Sequence, residues 1–329
     1  MVKKTRYVII SVLALAVFLA GCFVIWRVTL PDTKVRIAVR SGDGAVSVAR
    51  QLRDKKLIVS KTLFLLAAKA DGSAGKLKAG YYEFSQKDGM FKILKDLVSG
   101  SNGLVKFTIP EGSNIKQTAE IIAEKSMIDK DKFIKIAADS GAEGYLMPET
   151  YFIAPGMSEE KIIDLMKKEF DKKVTPDMYE RAKELGVPMK DIIIIASIVE
   201  KEAVKPDERT TIAAVFYNRL KKKIRLESCA TVLYAMGVNK PRLSLEDTEF
   251  DSPYNTYRHY GLPPGPICSP GVDSIRAALY PANTSSLYFV SAGNGNGGSL
   301  FADDLEQHIK NKQQSKKNIK EMKKKKQKL

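Results

Sequence analysis

The chain of 329 residues contains few of the side chains that hold metal ions. It has three cysteines and two histidines, His259 and His308, and they form no cluster along the sequence. Zinc sites in proteins draw their ligands from such clusters, so we expect no metal site. Cys229 and Cys268 are far apart in the sequence, which leaves both a disulfide and two free thiols open.

The sequence also lacks a signature of nucleic-acid binding, although its net charge is +16. No zinc finger and no RNA-recognition motif accompanies the lysines, so we expect no nucleic acid partner. Residues 309–329 hold ten lysines and one glutamate and so supply +9 of the total charge. We predict that this segment is a basic disordered tail, either merely solvated or attracted to anionic lipid or wall polymer.

Charge is absent from residues 7–26, a run of twenty predominantly apolar residues. At about 1.5 Å per residue a helix of this length crosses the roughly 30 Å core of a bilayer. The basic residues before the run favour a cytoplasmic N-terminus at residues 1–6 and an extracytoplasmic position for the rest of the chain. The "LAGC" that ends at Cys22 resembles a lipoprotein cleavage box. Because "FVIW" continues the apolar run, we favour a retained single-pass transmembrane anchor over a lipidated cysteine.

An internal repeat follows the apolar run. Residues 35–58 match residues 105–128 at an offset of 70, with Gly42 aligned on Gly112. Each copy has the pattern of a short strand, a glycine turn and an amphipathic helix, and a second helical pattern comes after it. The unit resembles the LysM carbohydrate-binding module, and a duplicated α+β unit without a ligand is the alternative. We predict an α+β fold with a LysM-like module at 34–104 and a second α+β subdomain with a connector at 105–185.

The stretch "DIIIIASIVEKEA" places a carboxylate directly behind a long apolar run. The run predicts a buried helix, on which Glu200 and Glu202 point about 200° apart. Burial disfavours a charged carboxylate, so we expect the pKa of Glu200 to be raised toward that of a useful general acid. The alternative is a helix-terminal glutamate that pairs with Lys201 or Arg219.

Residues 251–271 form a loop dense in Tyr, Asn, Pro and Gly, residue types whose rings and amides suit a sugar. Together with "ASIVEKEA", "VFYNRL", "TVLYAMG", "SIRAALYPA" and "LYFVSAGNG", in this order, the loop resembles the endolytic murein transglycosylases, the YceG-like family. "EGYLMPETYF" is similar to the family's segment before its catalytic region. We therefore predict a mixed α/β catalytic domain at 186–308.

The resemblance implies an enzyme of the bacterial cytoplasmic membrane whose catalytic domain lies outside and cuts nascent peptidoglycan glycan strands. It implies cleavage of the bond between N-acetylmuramic acid and N-acetylglucosamine without water, which leaves 1,6-anhydro ends and terminates the strand. The resemblance also implies that the reaction needs no cofactor and that peptidoglycan synthases are possible partners of the enzyme. The family's catalytic glutamate falls on Glu200, as general acid and then base. The same resemblance makes six further residues substrate-binding: Asn218, Arg219, Tyr254, Asn255, Thr256 and Tyr257.

The chain departs from the family pattern at two places. Cys229-Ala230 stands where Asp-Pro is usual, and Ser299 stands where a histidine is common, whereas His308 matches a later histidine of the family. These changes affect the expected shape of a loop and the expected presence of a second polar group near the cleft, but not the assignment of the acid. Two other functions are compatible with the residues: a non-catalytic glycan-binding scaffold for wall synthesis and a hydrolytic muramidase.

Overall fold

The computed structural model describes residues 33–40, 42–100, 104–126, 128–154, 156–240 and 243–326. The described chain is mixed α+β, as predicted, with three two-stranded sheets in those ranges. It divides into two compact units, one formed by the described residues up to Val105 with Phe152–Met157, the other by Lys106–Tyr151 and Ser158 onward. The predicted anchor at 7–26 lies outside the described residues. In the part that is described, no helix is both long and apolar enough to cross a membrane.

The first unit has a two-stranded sheet with helices on its apolar face. Its elements are β1 (Lys34–Val39), α1 (Ala45–Asp54), α2 (Lys61–Ala70), β2 (Gly80–Ser85) and α3 (Met90–Ser99). β1 and β2 are antiparallel, with Lys34 opposite Ser85. Alternate strand residues are buried together with the apolar faces of the helices, including Ile37, Phe84, Leu52 and Leu97. The alternation along the strands thus gives the sheet one buried face.

A second copy of this element order follows in the chain. It comprises β3 (Val105–Thr108), α4 (Ile115–Lys125), α5 (Lys130–Asp139), β4 (Thr150–Ile153) and α6 (Glu159–Lys173). The predicted strand-turn-helix-helix repeat is confirmed, and it extends by one further strand and helix at nearly the same offset. The aligned Gly42 and Gly112 have φ angles of 95° and 75°. These angles lie in the left-handed region that favours glycine, which explains the shared residue.

The remainder of the second unit is organised around one buried helix. Its helices are α7 (Pro176–Glu184), α8 (Met189–Glu202), α9 (Arg209–Lys221), α10 (Cys229–Met236) and α11 (Val272–Leu279), with 3-10 turns at Pro206–Glu208 and Glu246–Glu249. Every residue of α8 from Ile192 to Val199 is buried. Helices α7, α9, α10 and α11 all pack against α8. The isoleucine run is therefore the centre of a helical core, as its lack of a polar face predicts.

The C-terminal part is a hairpin of β5 (Tyr288–Ser291) and β6 (Ser299–Ala302) followed by α12 (Leu305–Lys326). This helix corrects the prediction of a disordered tail over 309–326. Asn311 Nδ2 donates to the Phe301 carbonyl at 2.9 Å, and Asn318 Nδ2 donates to the Ala292 carbonyl at 2.6 Å. Asn311, Ser315 and Asn318 are spaced so that they share one face of α12. This face is attached to the hairpin, and the lysines lie on the other faces of the helix.

Candidate active site

Glu200 stands at the rim of the buried helix α8. It is the first half-buried position after eight buried ones. Its Oε2 accepts a hydrogen bond from the Gly271 N–H at 3.0 Å. A Cβ placed on Gly112 would lie 3.5 Å from the Glu200 Cγ, so the Gly112 turn borders the side chain. Among the described residues no other hydrogen-bond donor reaches this carboxylate, and Oε1 is left unpartnered.

Neither of the cations expected in the alternative interpretation pairs with Glu200. Lys201 Nζ donates instead to the Gly112 carbonyl at 3.2 Å. Arg219 is 7% exposed and its Nε donates to the Leu287 carbonyl at 2.6 Å. Over the described part of the chain, the carboxylate of Glu200 therefore has no ion-pair partner.

Two backbone segments are fixed beside Glu200 by hydrogen bonds. The loop before α11 is attached to α8 at Ser197, whose Oγ accepts from the Ile267 N–H at 3.1 Å and whose carbonyl accepts from the Cys268 thiol at 3.3 Å. The same loop is bridged to the turn before α4, because the Gly112 N–H donates to the Ser269 carbonyl at 2.9 Å. The single polar residue of the isoleucine run thus serves to hold the loop that carries the donor to Glu200.

Glu111 is a second carboxylate beside Glu200. A Cβ placed on Gly271 would collide with Glu111 Oε1, so this carboxylate packs directly against the Gly271 Cα. Burial raises the pKa of Glu111, the negative charges of Glu200 and Asp273 raise it further, and Arg209 opposes them. Gly271 therefore lies between two acids, of which only Glu200 is predicted from the sequence.

Glu143 is a third acid in this region, close to two tyrosine rings. Its Oε2 accepts hydrogen bonds from the Tyr234 hydroxyl at 3.1 Å and the Ile115 N–H at 3.3 Å, while its Oε1 is buried without a partner. Burial raises the pKa of Glu143 to about 7. The Tyr234 and Tyr254 ring centroids are 5.1 Å apart. Through Tyr234, the Glu143 carboxyl group is thus in contact with the pair of tyrosine rings.

Comparison with known proteins assigns the family. The profile of the YceG-like family matches residues 37–314. This chain belongs to the YceG-like family. The resemblance to the endolytic murein transglycosylases is thereby confirmed.

Relatives with this name are found in two genera. The endolytic murein transglycosylase of Bacillus subtilis is 35% identical over 308 residues, which cover 85% of this chain and 84% of that protein. The endolytic murein transglycosylase of Streptococcus pneumoniae D39 is 32% identical, over 84% of this chain but only 57% of the longer relative. A crystal structure of a YceG-like protein from Listeria monocytogenes has a TM-score of 0.58 and 33% identity, over 85% of this chain and 99% of that one.

Glu202, the second glutamate of the YceG-like "VEKE" motif, has different neighbours from Glu200. Its Oε1 accepts a hydrogen bond from the Ser228 hydroxyl at 2.5 Å. Burial raises the pKa of Glu202, and the Ser228 and Ala230 hydrogen bonds oppose this effect. The two glutamates thus face different surroundings, as their helical spacing predicts.

Two of the residues for which the YceG-like family implies substrate binding, Asn218 and Arg219, use their side chains within the protein. Asn218 Nδ2 donates to the carbonyls of Thr284 and Ser286 at 2.8 and 3.0 Å. The Arg219 guanidinium lies 5.0 Å from the Tyr288 ring centroid. Both side chains connect α9 to the segment before and within β5. Direct substrate binding by them stays a prediction.

The other four residues of the predicted set lie in the loop before α11. Asn255 and Thr256 are 0% and 1% exposed, and Asn255 Nδ2 donates to the carbonyls of Thr248 and Phe250 at 2.8 Å each. Tyr254 and Tyr257 are half-buried. The structure therefore brings the two tyrosines nearer to solvent than the two polar residues between them.

The departures from the family pattern are visible in the local contacts. Cys229 opens α10, and its sulfur lies 3.1 Å from the Tyr257 hydroxyl. It is free and exposed, whereas Cys268 is free and buried, so the two are not joined. His308 packs on Tyr288 with ring centroids 4.9 Å apart, and burial lowers the His308 pKa.

Proposed function

We propose that this chain is a peptidoglycan lytic transglycosylase that cuts within nascent glycan strands, with Glu200 as its catalytic acid and base. The observation that carries the proposal is the state of the Glu200 carboxylate. One oxygen is held by the Gly271 N–H, and no cation and no second donor from the described residues occupies the other. The curated relatives, named endolytic murein transglycosylases, support this reaction class.

A single carboxylate is sufficient for this reaction. A glycoside hydrolase ordinarily needs two, because one must activate water or attack the anomeric carbon. In a lytic transglycosylase the C6 hydroxyl of the muramyl sugar attacks its own anomeric carbon. Glu200 first gives its proton to the departing glycosidic oxygen as the C1–O bond breaks. The resulting carboxylate then takes the C6 hydroxyl proton as the C6–O–C1 bond forms, which restores the acid.

The neighbouring residues suit a bound saccharide. We assign sugar contact to Tyr254 and Tyr257, since both rings are partly exposed and the paired ring of Tyr234 extends the aromatic surface. Aromatic faces stack on the CH faces of pyranose rings. The remaining four residues of the predicted set contribute by holding the backbone of the loops in place. The side chains of Asn218, Arg219 and Asn255 donate to backbone carbonyls. The Thr256 hydroxyl accepts from the Ser228 N–H.

The rest of the proposed architecture follows from the sequence. Residues 7–26 anchor the chain in the cytoplasmic membrane, and the LysM-like module at 34–104 binds glycan outside it. The lysines of α12 meet anionic lipid or wall polymer, since its contacts with the hairpin use asparagine side chains rather than charge. Peptidoglycan synthases are the partners that this location allows.

The end groups of the products test the reaction. Purified peptidoglycan is digested with the full chain, and the released fragments are analysed by mass spectrometry. Fragments that end in 1,6-anhydro-N-acetylmuramic acid support the proposal. Reducing ends would identify a muramidase instead, and the absence of cleavage would favour a glycan-binding scaffold.

A further inference from the structure

Helix α2 of the first unit has apolar side chains on its exposed face as well as on its buried face. Phe64 and Ala68 pack into the core of the unit. Leu63 and Leu66, three positions apart and therefore neighbours on the helix surface, are each 58% exposed. Val59, just before the helix, is 61% exposed. Exposed leucines scattered singly are ordinary in proteins, whereas adjacent ones on one helix face indicate a surface that something covers.

The second copy of the repeat contains an equivalent helix, α5, which allows a comparison within the chain. The two helices begin after corresponding N-cap residues, Ser60 and Asp129, whose side chains both accept backbone N–H groups. Four residues after each N-cap stands a buried phenylalanine, Phe64 in α2 and Phe133 in α5. The buried faces of the two helices are therefore built in the same way.

The exposed faces of these two helices differ. Leu63 and Leu66 of α2 correspond to Lys132 and Lys135 of α5, and all four side chains are exposed. Lys132 forms an ion pair with Glu159 at 2.8 Å. Because the repeat folds with lysine at these two positions, the fold itself does not require the leucines of α2.

The first unit is also strongly basic. Residues 34–105 contain 14 lysines and arginines and 6 acidic residues, a net charge of +8. Residues 106–308 contain 26 lysines and arginines and 30 acidic residues, a net charge of −4. On α2 the exposed Lys69 follows Leu66 by three positions and so shares its face. Leucines beside lysines on a basic unit match the surface of a bilayer that contains anionic lipid.

The proposed anchor brings a bilayer within reach of this face. The apolar run ends at Trp26, and β1 begins at Lys34. Seven residues lie between them, and an extended chain covers at most about 3.6 Å per residue, so this link spans no more than about 25 Å. The first unit therefore stays close to the bilayer that holds the anchor.

We propose that the exposed face of α2 docks on the lipid surface of the membrane in which the chain is anchored. Leu63 and Leu66 enter the boundary between headgroups and acyl chains, to a depth of about 5–10 Å, and Lys69 meets the anionic headgroups. The inference rests on the proposed anchor at 7–26 and adds a second attachment to the membrane. The docked unit is held against the bilayer, whereas the link alone leaves its height variable.

Tryptophan fluorescence of the full chain in vesicles tests the docking. Trp26 is the only tryptophan of the chain, so Trp26→Phe provides a background without tryptophan. In this background Leu66→Trp places a probe on the exposed face of α2, and Lys135→Trp places the matched control probe at the equivalent position of α5. Both chains are reconstituted in vesicles of phosphatidylglycerol and phosphatidylcholine, with and without bromine on the acyl chains next to the headgroups.

Brominated lipid should quench the emission of Leu66→Trp, which should also lie at shorter wavelength than the emission of Lys135→Trp. The control probe should keep its intensity in brominated lipid. Addition of Leu63→Lys to Leu66→Trp copies the residue type of α5 and should lower the ratio of docked to undocked chains by about tenfold or more, the effect of exposing one leucine. Melting curves check that each variant is folded.

Three outcomes overturn the inference. The first is equal quenching of the two probes. The second is emission of Leu66→Trp at short wavelength without quenching, which indicates that protein covers the face. The third is a shift to shorter wavelength that requires added glycan strands, which indicates a sugar site.

Flotation of the vesicles separates this inference from the proposed function. A chain that floats with the vesicles but is not quenched is anchored without docking, so the inference alone fails. A chain that does not float lacks the proposed anchor, and the docking fails with it. The end groups of cleaved peptidoglycan report the proposed reaction independently of both results.

Discussion

Replacement of Glu143 by glutamine should change the way in which stability depends on pH. Burial raises the pKa of Glu143 from its ordinary value of 4.5 to about 7 in the folded protein. The folded state therefore binds this proton more tightly than the unfolded state does. A tenfold difference in proton affinity is worth about 1.4 kcal/mol, so this increase corresponds to about 3 kcal/mol. That stability is fully present below pH 4.5 and is lost as the pH rises through 7.

Glu143→Gln removes the titrating group but keeps an oxygen that can accept from Tyr234 and Ile115. Relative to wild type, the variant should therefore gain about 3 kcal/mol in free energy of unfolding between pH 4.5 and pH 8.5. Urea denaturation of both proteins at a series of pH values measures this difference, in which the contributions of other groups cancel. Glu120→Gln, which removes an exposed acid that pairs with Lys130, is the control for a change in net charge. A difference that does not change with pH for Glu143→Gln would refute the assignment of a buried, protonated carboxyl group.

Two further substitutions separate structural from catalytic roles. Glu202→Gln should keep most of the cleavage rate and cost less than about 1 kcal/mol in stability, because the amide oxygen can still accept from Ser228. A loss of cleavage rate as large as that of Glu200→Gln would instead assign the acid role to Glu202. Asn255→Ala removes a buried amide that donates to the Thr248 and Phe250 carbonyls. It should cost about 1–3 kcal/mol, seen as a lower melting temperature with unchanged KM. A raised KM at unchanged stability would instead place Asn255 on the sugar.

The sequence predicts those parts of the molecule that depend on local patterns. The isoleucine run predicts a buried helix because no face of it is polar, and the structure places all of it in the core. The spacing of Glu200 and Glu202 on the helix is enough to predict that their side chains point in different directions and contact different residues. The repeat is detectable because Gly42 and Gly112 occupy the same left-handed turn, which few other residues tolerate.

The parts that were missed depend on contacts between distant segments. Glu111 and Glu143 meet the site only because the turn before α4 and the turn after α5 fold back on the loop before α11, and no local pattern encodes that approach. The hydrogen bonds of the Asn218 and Asn255 side chains likewise depend on carbonyls that only the folded chain brings near. Helix α12 was missed because its lysine content outweighed the helically spaced asparagines that fix it.

The central claim is that one carboxylate carries the reaction, and cleavage of purified peptidoglycan by Glu200→Gln tests it most directly. The rate of release of 1,6-anhydro ends is compared for wild type, Glu200→Gln and Glu202→Gln, each checked to be folded by its melting curve. The account predicts that Glu200→Gln alone loses at least about 100-fold in rate, the typical contribution of a general acid. Release of anhydro ends by folded Glu200→Gln at the wild-type rate would contradict it.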